Sequence, residues 1–269
     1  MTTKLVICDI DATLVNEKKE LTPRTKKNLI QLHEKGIYFG IASGRPADEL
    51  KRNKEYWDLP FDFDFVVGMN GAELWDGVHQ KFYSYFMMKK EWLKETMEIM
   101  NVVKCNPMIY WDGKIRCVRI DDWMIHSAST SHKELEIVKL EDFYAHENAK
   151  IMFRMKEEDM PKAEAWVKEH PNPYYHGFKT QSTLLEFCDK RINKGYGLQK
   201  ICELNDLDIK DVMAFGDTSN DNDMLKVAGC GVCMINGTDD TKACANAITK
   251  QDNDHDGLAI YLEESGILC

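Results

Sequence analysis

Asp9, Asp11 and Thr13 interrupt the apolar stretch VICDIDATLV, residues 6 to 15, where a buried strand should end. At the C-terminal end of a parallel strand such carboxylates face the crevice in which ligands bind; in an ordinary turn they only satisfy loose backbone N–H groups. ASGRP, residues 42 to 46, follows a second apolar run. Ser43 supplies a hydroxyl, Gly44 lets backbone approach closely, and a helix start beyond them would complete an anion cradle; the plainer reading is a helix N-terminus with Pro46 in its first turn. Lys194, in INKGYGLQ, stands near a helix start, where a lysine ordinarily points into water. In GDTSNDNDML, residues 216 to 225, Asp217 ends a strand and Asn220 and Asp221 lie in the next turn. N-capping and the helix dipole explain part of this cluster, but it holds more acidic and amide side chains than one helix end requires.

These groups need a scaffold that brings strand ends together. Residues 4 to 9 read as a central strand, LTPRTKKNLIQLHEKG (21 to 36) as a helix closed by Gly36, and IYFGIAS (37 to 43) as a second buried strand. Pro46 opens a helical stretch through Leu50 to Tyr56, and DFVVGMNG (64 to 71) gives a third strand. Such alternation implies a parallel sheet with helices on both faces. After Gly71 the rhythm changes to a hairpin turning at Asp76 and Gly77, a helix from about Lys89 to Met100, the strand-like pieces MIYWDGKIRCVRI and AKIMFRMK, the helix MPKAEAWVKEH, and strands within 173 to 187. From about residue 186 the first rhythm returns: KGYGLQKICELND and SNDNDMLKVAG as helices, VMAFGD and CGVCMI as strands. The expected fold class is α/β, a doubly wound (Rossmann-like) parallel-sheet core in two segments, 1–82 and 186–269, with an inserted α+β domain at 83–185.

A chain of 269 residues has room for one large domain or two moderate ones, and 43% hydrophobic with 30% charged residues describes an ordinary globular protein. The formal net charge of −10 argues against nucleic acid or an anionic membrane surface as partner, so a bound anion must be held by local groups or a metal. No apolar run approaches the roughly 18 residues of a bilayer span, and MTTKLVICDIDATLV lacks the pattern of an export signal. Nine cysteines, an odd number set in apolar contexts such as Cys8, Cys202 and Cys244, read as reduced thiols of a cytoplasmic protein. Nothing points to an obligate protein partner.

The order DIDAT (9 to 13), ASGRP (42 to 46), MNGA (69 to 72), NKG (193 to 195) and GDTSNDNDM (216 to 224), followed by GVCMING and K-x-x-A at Lys242, carries a resemblance. The chain resembles the haloacid dehalogenase (HAD) superfamily of phosphotransferases, most of all its Cof-type sugar-phosphatase branch of class IIB. That resemblance implies a doubly wound core, an insertion acting as a mixed α/β cap, and a Mg²⁺-dependent phosphatase for small phosphomonoesters, sugar phosphates or related metabolites. It makes Asp9 the nucleophile that forms an aspartyl-phosphate, Asp11 the acid that protonates the departing alcohol and then the base that activates water, and Lys194 the neutralising cation. Asp11 must then be protonated when substrate is bound. Ser43, Gly44, Arg45 and Asn220 would hold the phosphoryl group, and Mg²⁺ would take Asp9, the Asp11 main-chain carbonyl, Asp217 and Asp221, the last directly or through water. A phosphosugar mutase of the same superfamily and a catalytically silent Mg²⁺- and phosphate-binding regulator are the alternatives; the regulator needs neither Asp11 nor a cap.

Other patterns carry less. DNDHDGLAIYLE, residues 252 to 263, matches a calcium loop in outline but has Ile260 at the ninth position and no partner loop. Cys230 and Cys233 form a C-x-x-C in what reads as a buried strand, which favours packing over redox or zinc chemistry. Trp111, Trp123, Tyr174, Tyr175 and Phe178 fall in the insertion, either facing substrate or filling its core. Ala12 stands where most chains resembling this branch have glycine; a negative φ is expected there, with alanine merely stiffening the loop.

Overall fold

The computed structural model describes residues 3–268. Its regular elements begin with β1 (Leu5–Cys8), α1 (Pro23–Glu34), β2 (Tyr38–Ala42), α2 (Ala47–Leu50), α3 (Asn53–Tyr56), β3 (Phe65–Gly68), β4 (Glu73–Asp76) and β5 (Lys81–Ser84). Then come α4 (Lys90–Ile99), β6 (Cys105–Trp111), β7 (Lys114–Cys117), α5 (Asp122–Ser131), β8 (Leu135–Ile137), β9 (Lys150–Met155), α6 (Met160–Glu169), β10 (Tyr175–Gln181) and β11 (Leu184–Asp189). The chain ends with α7 (Lys194–Leu204), β12 (Val212–Gly216), α8 (Asn222–Val227), β13 (Cys230–Cys233), α9 (Asp239–Cys244), β14 (Ala247–Ile248) and α10 (Gly257–Glu264). It divides into two compact units, Met1–Tyr83 with Asn193–Cys269, and Ser84–Ile192.

The first unit is built on an eight-stranded sheet in the order β14-β13-β12-β1-β2-β3-β4-β5. Strands β14 to β3 are parallel, and β4 turns back antiparallel on β3. The order reverses at β1, which has β12 on one side and β2 on the other, so the ends of β1 and β12 flank a topological switch point. Burial drives this arrangement: LVIC of β1 is wholly buried, and Val6, Cys8, Phe39, Ile41, Phe215 and Val232 join one apolar cluster with Leu29, Leu32, Leu258 and Leu262. Helix α1 starts where Thr22 accepts a hydrogen bond from the Thr25 N–H and Pro23 takes a position whose N–H would have no partner. The single helix read from Pro46 to Tyr56 is instead two short ones, α2 and α3, with a turn at Lys51 and Arg52.

The second unit holds a six-stranded sheet, β10-β11-β9-β6-β7-β8, antiparallel except for the β7–β8 pair. Alternation along β9 sends Ile151, Phe153 and Met155 into a cluster with Leu93 of α4 and Met160 and Ala163 of α6, while Met152 packs with Met124 of α5. Among the aromatic residues left open by the sequence, Tyr175 fills this core, Tyr174 is exposed and stacks on Trp92, and Trp111 stacks on His146. Helix α5 is absent from the sequence reading because DWMIHSASTS is serine- and threonine-rich and weakly amphipathic; Asp121 starts it by accepting from the Met124 N–H. Strand β11 crosses position 185/186, where the rhythm placed the return to the first unit. It pairs on both sides, with β10 and β9, so it stays with the inserted sheet.

Lys150 on β9 and Glu186 on β11 form a buried ion pair at 2.8 Å, and the second Glu186 oxygen accepts from Thr180 at 3.0 Å. Removing one partner strands a charge away from water, which is more damaging than removing both. Lys150→Met should therefore destabilise the protein by about 3–5 kcal/mol in urea titrations, and adding Glu186→Leu should recover most of that loss.

Candidate active site

Asp9 follows β1 directly, and its N–H continues the ladder to the Phe215 carbonyl of β12 at 2.9 Å. The sheet thus fixes the backbone of Asp9 beside that of Asp217, one residue beyond β12. Asp221 lies in a single turn after Asp217, where its Oδ2 accepts from the Asp217 and Thr218 N–H groups at 3.0 and 3.1 Å. Gly216 makes room for this: a Cβ there would come within 2.5 Å of the Asp221 Cβ. Thr13 donates to Asp217 Oδ1 at 2.8 Å.

Lys194 enters from the first turn of α7, where Asn193 caps the helix by accepting from the Tyr196 N–H. Its Nζ donates to Asp9 Oδ1 at 2.5 Å and to Asp221 Oδ1 at 2.6 Å, and the side chain is 0% exposed. The ordinary picture of a solvated lysine at a helix start is overturned. Its approach depends on Gly71, at φ 109°, where a Cβ would meet the Asn193 carbonyl oxygen at 2.3 Å.

Asp9, Asp217 and Asp221 are all buried, with one carboxylate oxygen from each lying within 4.8 Å of the others. Burial above all, helped by Asp221 and Asp217 and opposed by Lys194, raises the Asp9 pKa to about 8. Asp217 rises to about 6, again mainly through burial. Burial alone would lower Lys194, but Asp221 and Asp9 outweigh it and leave the ammonium firmly charged. Three carboxylates against one ammonium leave excess negative charge in a place out of water. A hard divalent cation would offset that charge, since its preferred ligands are oxygens. Both Asp221 oxygens are already engaged, by Lys194 and by two N–H groups, so Asp9 and Asp217 are the better direct ligands.

The Asp11 side chain is turned away from this cluster. Its carboxylate accepts from Arg45 at 3.0 Å and from Lys19 at 2.7 Å, and although burial opposes it, these two cations hold its pKa below the usual carboxylate range. Arg45, expected on the phosphoryl group, here reaches Asp11 instead. Ser43 is buried, accepts from the Arg45 N–H at 3.3 Å, and donates its own N–H to the Val67 carbonyl. Asn70, in the left-handed region at φ 54°, lies between Gly44 and Asn220: its amide is 3.4 Å from the place of a Gly44 Cβ, and Asn220 donates to it at 3.4 Å. Asn70 and Lys19 are absent from the sequence-based site. Asn70 had a signal, in the MNGA stretch; Lys19 had none, being one of several lysines in a polar loop.

One further sequence reading changes. Ala12 has φ 58° and ψ 9°, not a negative φ, because Asn236 holds its carbonyl at 2.8 Å and the chain must bend between Asp11 and Thr13. The acids of residues 252 to 263 do not converge: Asp254 accepts from the Glu17 N–H, Asp256 from Thr22, and Glu263 from Arg24 and Asn28. Cys230 and Cys233 contact different groups, the Tyr261 hydroxyl and the Met234 carbonyl.

The model of the haloacid dehalogenase-like hydrolase family matches residues 6–262. The chain belongs to that family. It is 26% identical to the 5-amino-6-(5-phospho-D-ribitylamino)uracil phosphatase YitU of Bacillus subtilis (strain 168), over 97% of this chain and 96% of the relative. A haloacid dehalogenase-like hydrolase from Bacteroides thetaiotaomicron superposes with a TM-score of 0.87 at 25% identity, covering 98% of this chain and all of its own. A HAD subclass IIB sugar phosphatase shares the fold at a TM-score of 0.82 and 22% identity, over 98% of this chain and 100% of that one. The chain is a phosphatase of the haloacid dehalogenase-like family, and its α/β sheet with an inserted α+β unit is the family's fold. Among the described residues, no helix is long and apolar enough to cross a membrane.

Two measurements probe the strain and charge of this HAD-family site. A left-handed alanine costs roughly 1–2 kcal/mol, and glycine's greater freedom in the unfolded chain offsets about 0.5–1 kcal/mol of the relief. Ala12→Gly should thus raise the unfolding free energy by about 0.5–1 kcal/mol in urea titrations. Asp9 and Asp217 bind protons more tightly folded than unfolded, so their contribution to stability is full below the unfolded value of 3.8 and lost as pH rises toward about 8. In EDTA, stability should decline across that window, and Asp9→Asn should flatten the decline.

Proposed function

We propose that this HAD-family phosphatase is Mg²⁺-dependent, hydrolyses small phosphomonoesters of sugars or related metabolites, and works through an aspartyl-phosphate on Asp9. The observation that carries the reading is the buried Lys194 ammonium shared by Asp9 and Asp221 beside Asp217. A carboxylate attacks a phosphoryl group only when cations offset their mutual repulsion. Lys194 supplies one fixed charge at Asp9 without screening by water. Mg²⁺, held by Asp9, Asp217 and the Asp11 carbonyl with Asp221 behind them, would supply the second and polarise a phosphoryl oxygen.

An Asp9 oxygen attacks phosphorus in line with the departing alkoxide, and Asp11 donates the proton that alkoxide needs. Ser43 and Asn220 hold the phosphoryl oxygens. Asp11 then takes a proton from the water that cleaves the aspartyl-phosphate. Arg45 and Lys19 favour the ionised form of Asp11, the form required for this second step. An arriving phosphoryl dianion competes for Arg45 and places like charge near Asp11, and both effects raise the Asp11 pKa toward the form required for the first step.

The substrate class draws on the sugar-alcohol phosphate in the name of YitU, the Bacillus subtilis relative. Phosphate release should be measured over sugar phosphates, sugar-alcohol phosphates and nucleotides, with Mg²⁺ and with EDTA. The expected result is release that requires Mg²⁺, is largest for sugar or sugar-alcohol phosphates, and falls at least about 10³-fold in Asp9→Asn, the scale of losing a nucleophile. Isomerised product without free phosphate would identify a mutase, and undiminished release by Asp9→Asn would remove Asp9 as nucleophile.

A further inference from the structure

The acidic turn at residues 252 to 256, which fails as a calcium loop, is tied to the segment that follows Asp11. Asn253 donates to the Val15 carbonyl at 3.0 Å, the Glu17 N–H donates to Asp254 at 2.8 Å, and Thr22 donates to Asp256 at 2.5 Å. These contacts grip the loop at its beginning, middle and end. Between them the loop closes on itself: the Asn16 N–H donates to the Glu20 carbonyl, the Lys19 N–H to the Asn16 carbonyl, and the Glu20 N–H to the Asn16 side chain. Lys19 sits at the crest with φ 65°, a conformation that a lysine adopts only when its surroundings impose it. From there its Nζ reaches Asp11 Oδ1 at 2.7 Å, while Arg45 holds Oδ2.

An exposed ion pair such as Lys19–Asp11, whose side chains are 61% and 40% exposed, adds little to stability. Its geometric effect is larger, because two cations on two different oxygens fix the plane of the carboxyl. The turn itself is rigid: Asp252 accepts from the His255 N–H and ring, and Leu258 and Leu262 of the following helix are anchored in the apolar core. The platform, loop, lysine and carboxyl therefore form one chain of contacts inside the first unit.

We infer that Lys19 is a positioning residue for Asp11, and that the turn at 252 to 256 is the platform that presents it. This rests on the proposed role of Asp11 in proton transfer to the leaving group. An Asp11 held out of line should harm esters whose alcohol leaves poorly and spare those whose alcohol leaves unaided.

The test compares kcat/KM for phenyl phosphate, a poor leaving group, and p-nitrophenyl phosphate, a good one, in the full-length Mg²⁺-loaded protein. Lys19→Met is expected to lose about 10-fold on phenyl phosphate and no more than about 3-fold on p-nitrophenyl phosphate, a fraction of what general acid catalysis supplies. Lys19→Arg should restore most of the loss, which a purely structural role of the loop would not predict. Asp254→Ala should show the same selective loss, and the double variant Lys19→Met with Asp254→Ala should be no worse than Lys19→Met alone. Equal losses on the two esters, or losses that multiply in the double variant, would overturn the inference. Asp11→Asn separates the two levels. If it loses both activities equally, the proton-transfer role of Asp11 fails and the inference with it; if it is selective while the Lys19 variants are not, only the inference fails.

Discussion

A lysine ammonium taken wholly out of water, Lys194, sets the terms for everything around it. Burying an unpaired cation is prohibitive, so Lys194 needs carboxylates, and Asp9 and Asp221 meet it at 2.5 and 2.6 Å. Those carboxylates need one another's neighbourhood, which the switch point between β1 and β12 provides. The lysine also needs an entry, and Gly71 opens it by letting the start of α7 approach. Once Asp217 joins them, negative charge exceeds positive, an imbalance that a divalent cation would offset. A charge imbalance of this kind favours binding of a cation, and that cation together with Lys194 would offset the repulsion between the carboxylates and a phosphoryl group.

Asp11 obeys the opposite logic. Lying two residues beyond Asp9, it points out of the buried cluster toward Arg45 and Lys19, in a half-exposed place. The left-handed Ala12, pinned by Asn236, bends the chain between Asp11 and Thr13. Two carboxyls close in sequence thus acquire different environments: Asp9 is desolvated and pushed up, and Asp11 is cation-paired and held down. Separation of this sort suits one residue to attack and the other to proton traffic.

Much of the first unit is legible in the sequence because its strands are short, continuous apolar runs that end in polar residues, as in VICD and VMAFGD, which is what buried parallel strands require. Spacing alone brought Asp9, Ser43 and Asp217 to strand ends, and the order of the motifs supplied the family. Periodicity does not reveal where a single residue must break a rule. Lys194 looks like any lysine at a helix start, and its burial follows only from the tertiary approach of α7. The φ of Ala12 depends on Asn236, 224 residues away. Lys19 gains its place through a turn more than two hundred residues later in the chain, and α5 is hidden because its helix rests on an aspartate cap and tertiary packing more than on an apolar stripe.

The central claim is that Asp9, activated beside Lys194, carries the phosphoryl group. Rapid acid quench during turnover of a hydrolysed sugar phosphate, followed by peptide mass spectrometry, addresses it most directly. The account predicts a peptide containing Asp9 that is heavier by one phosphoryl group, present during turnover and missing from Asp9→Asn. Turnover with that peptide never modified under conditions that preserve acyl phosphates, or modification of a different residue, would contradict it.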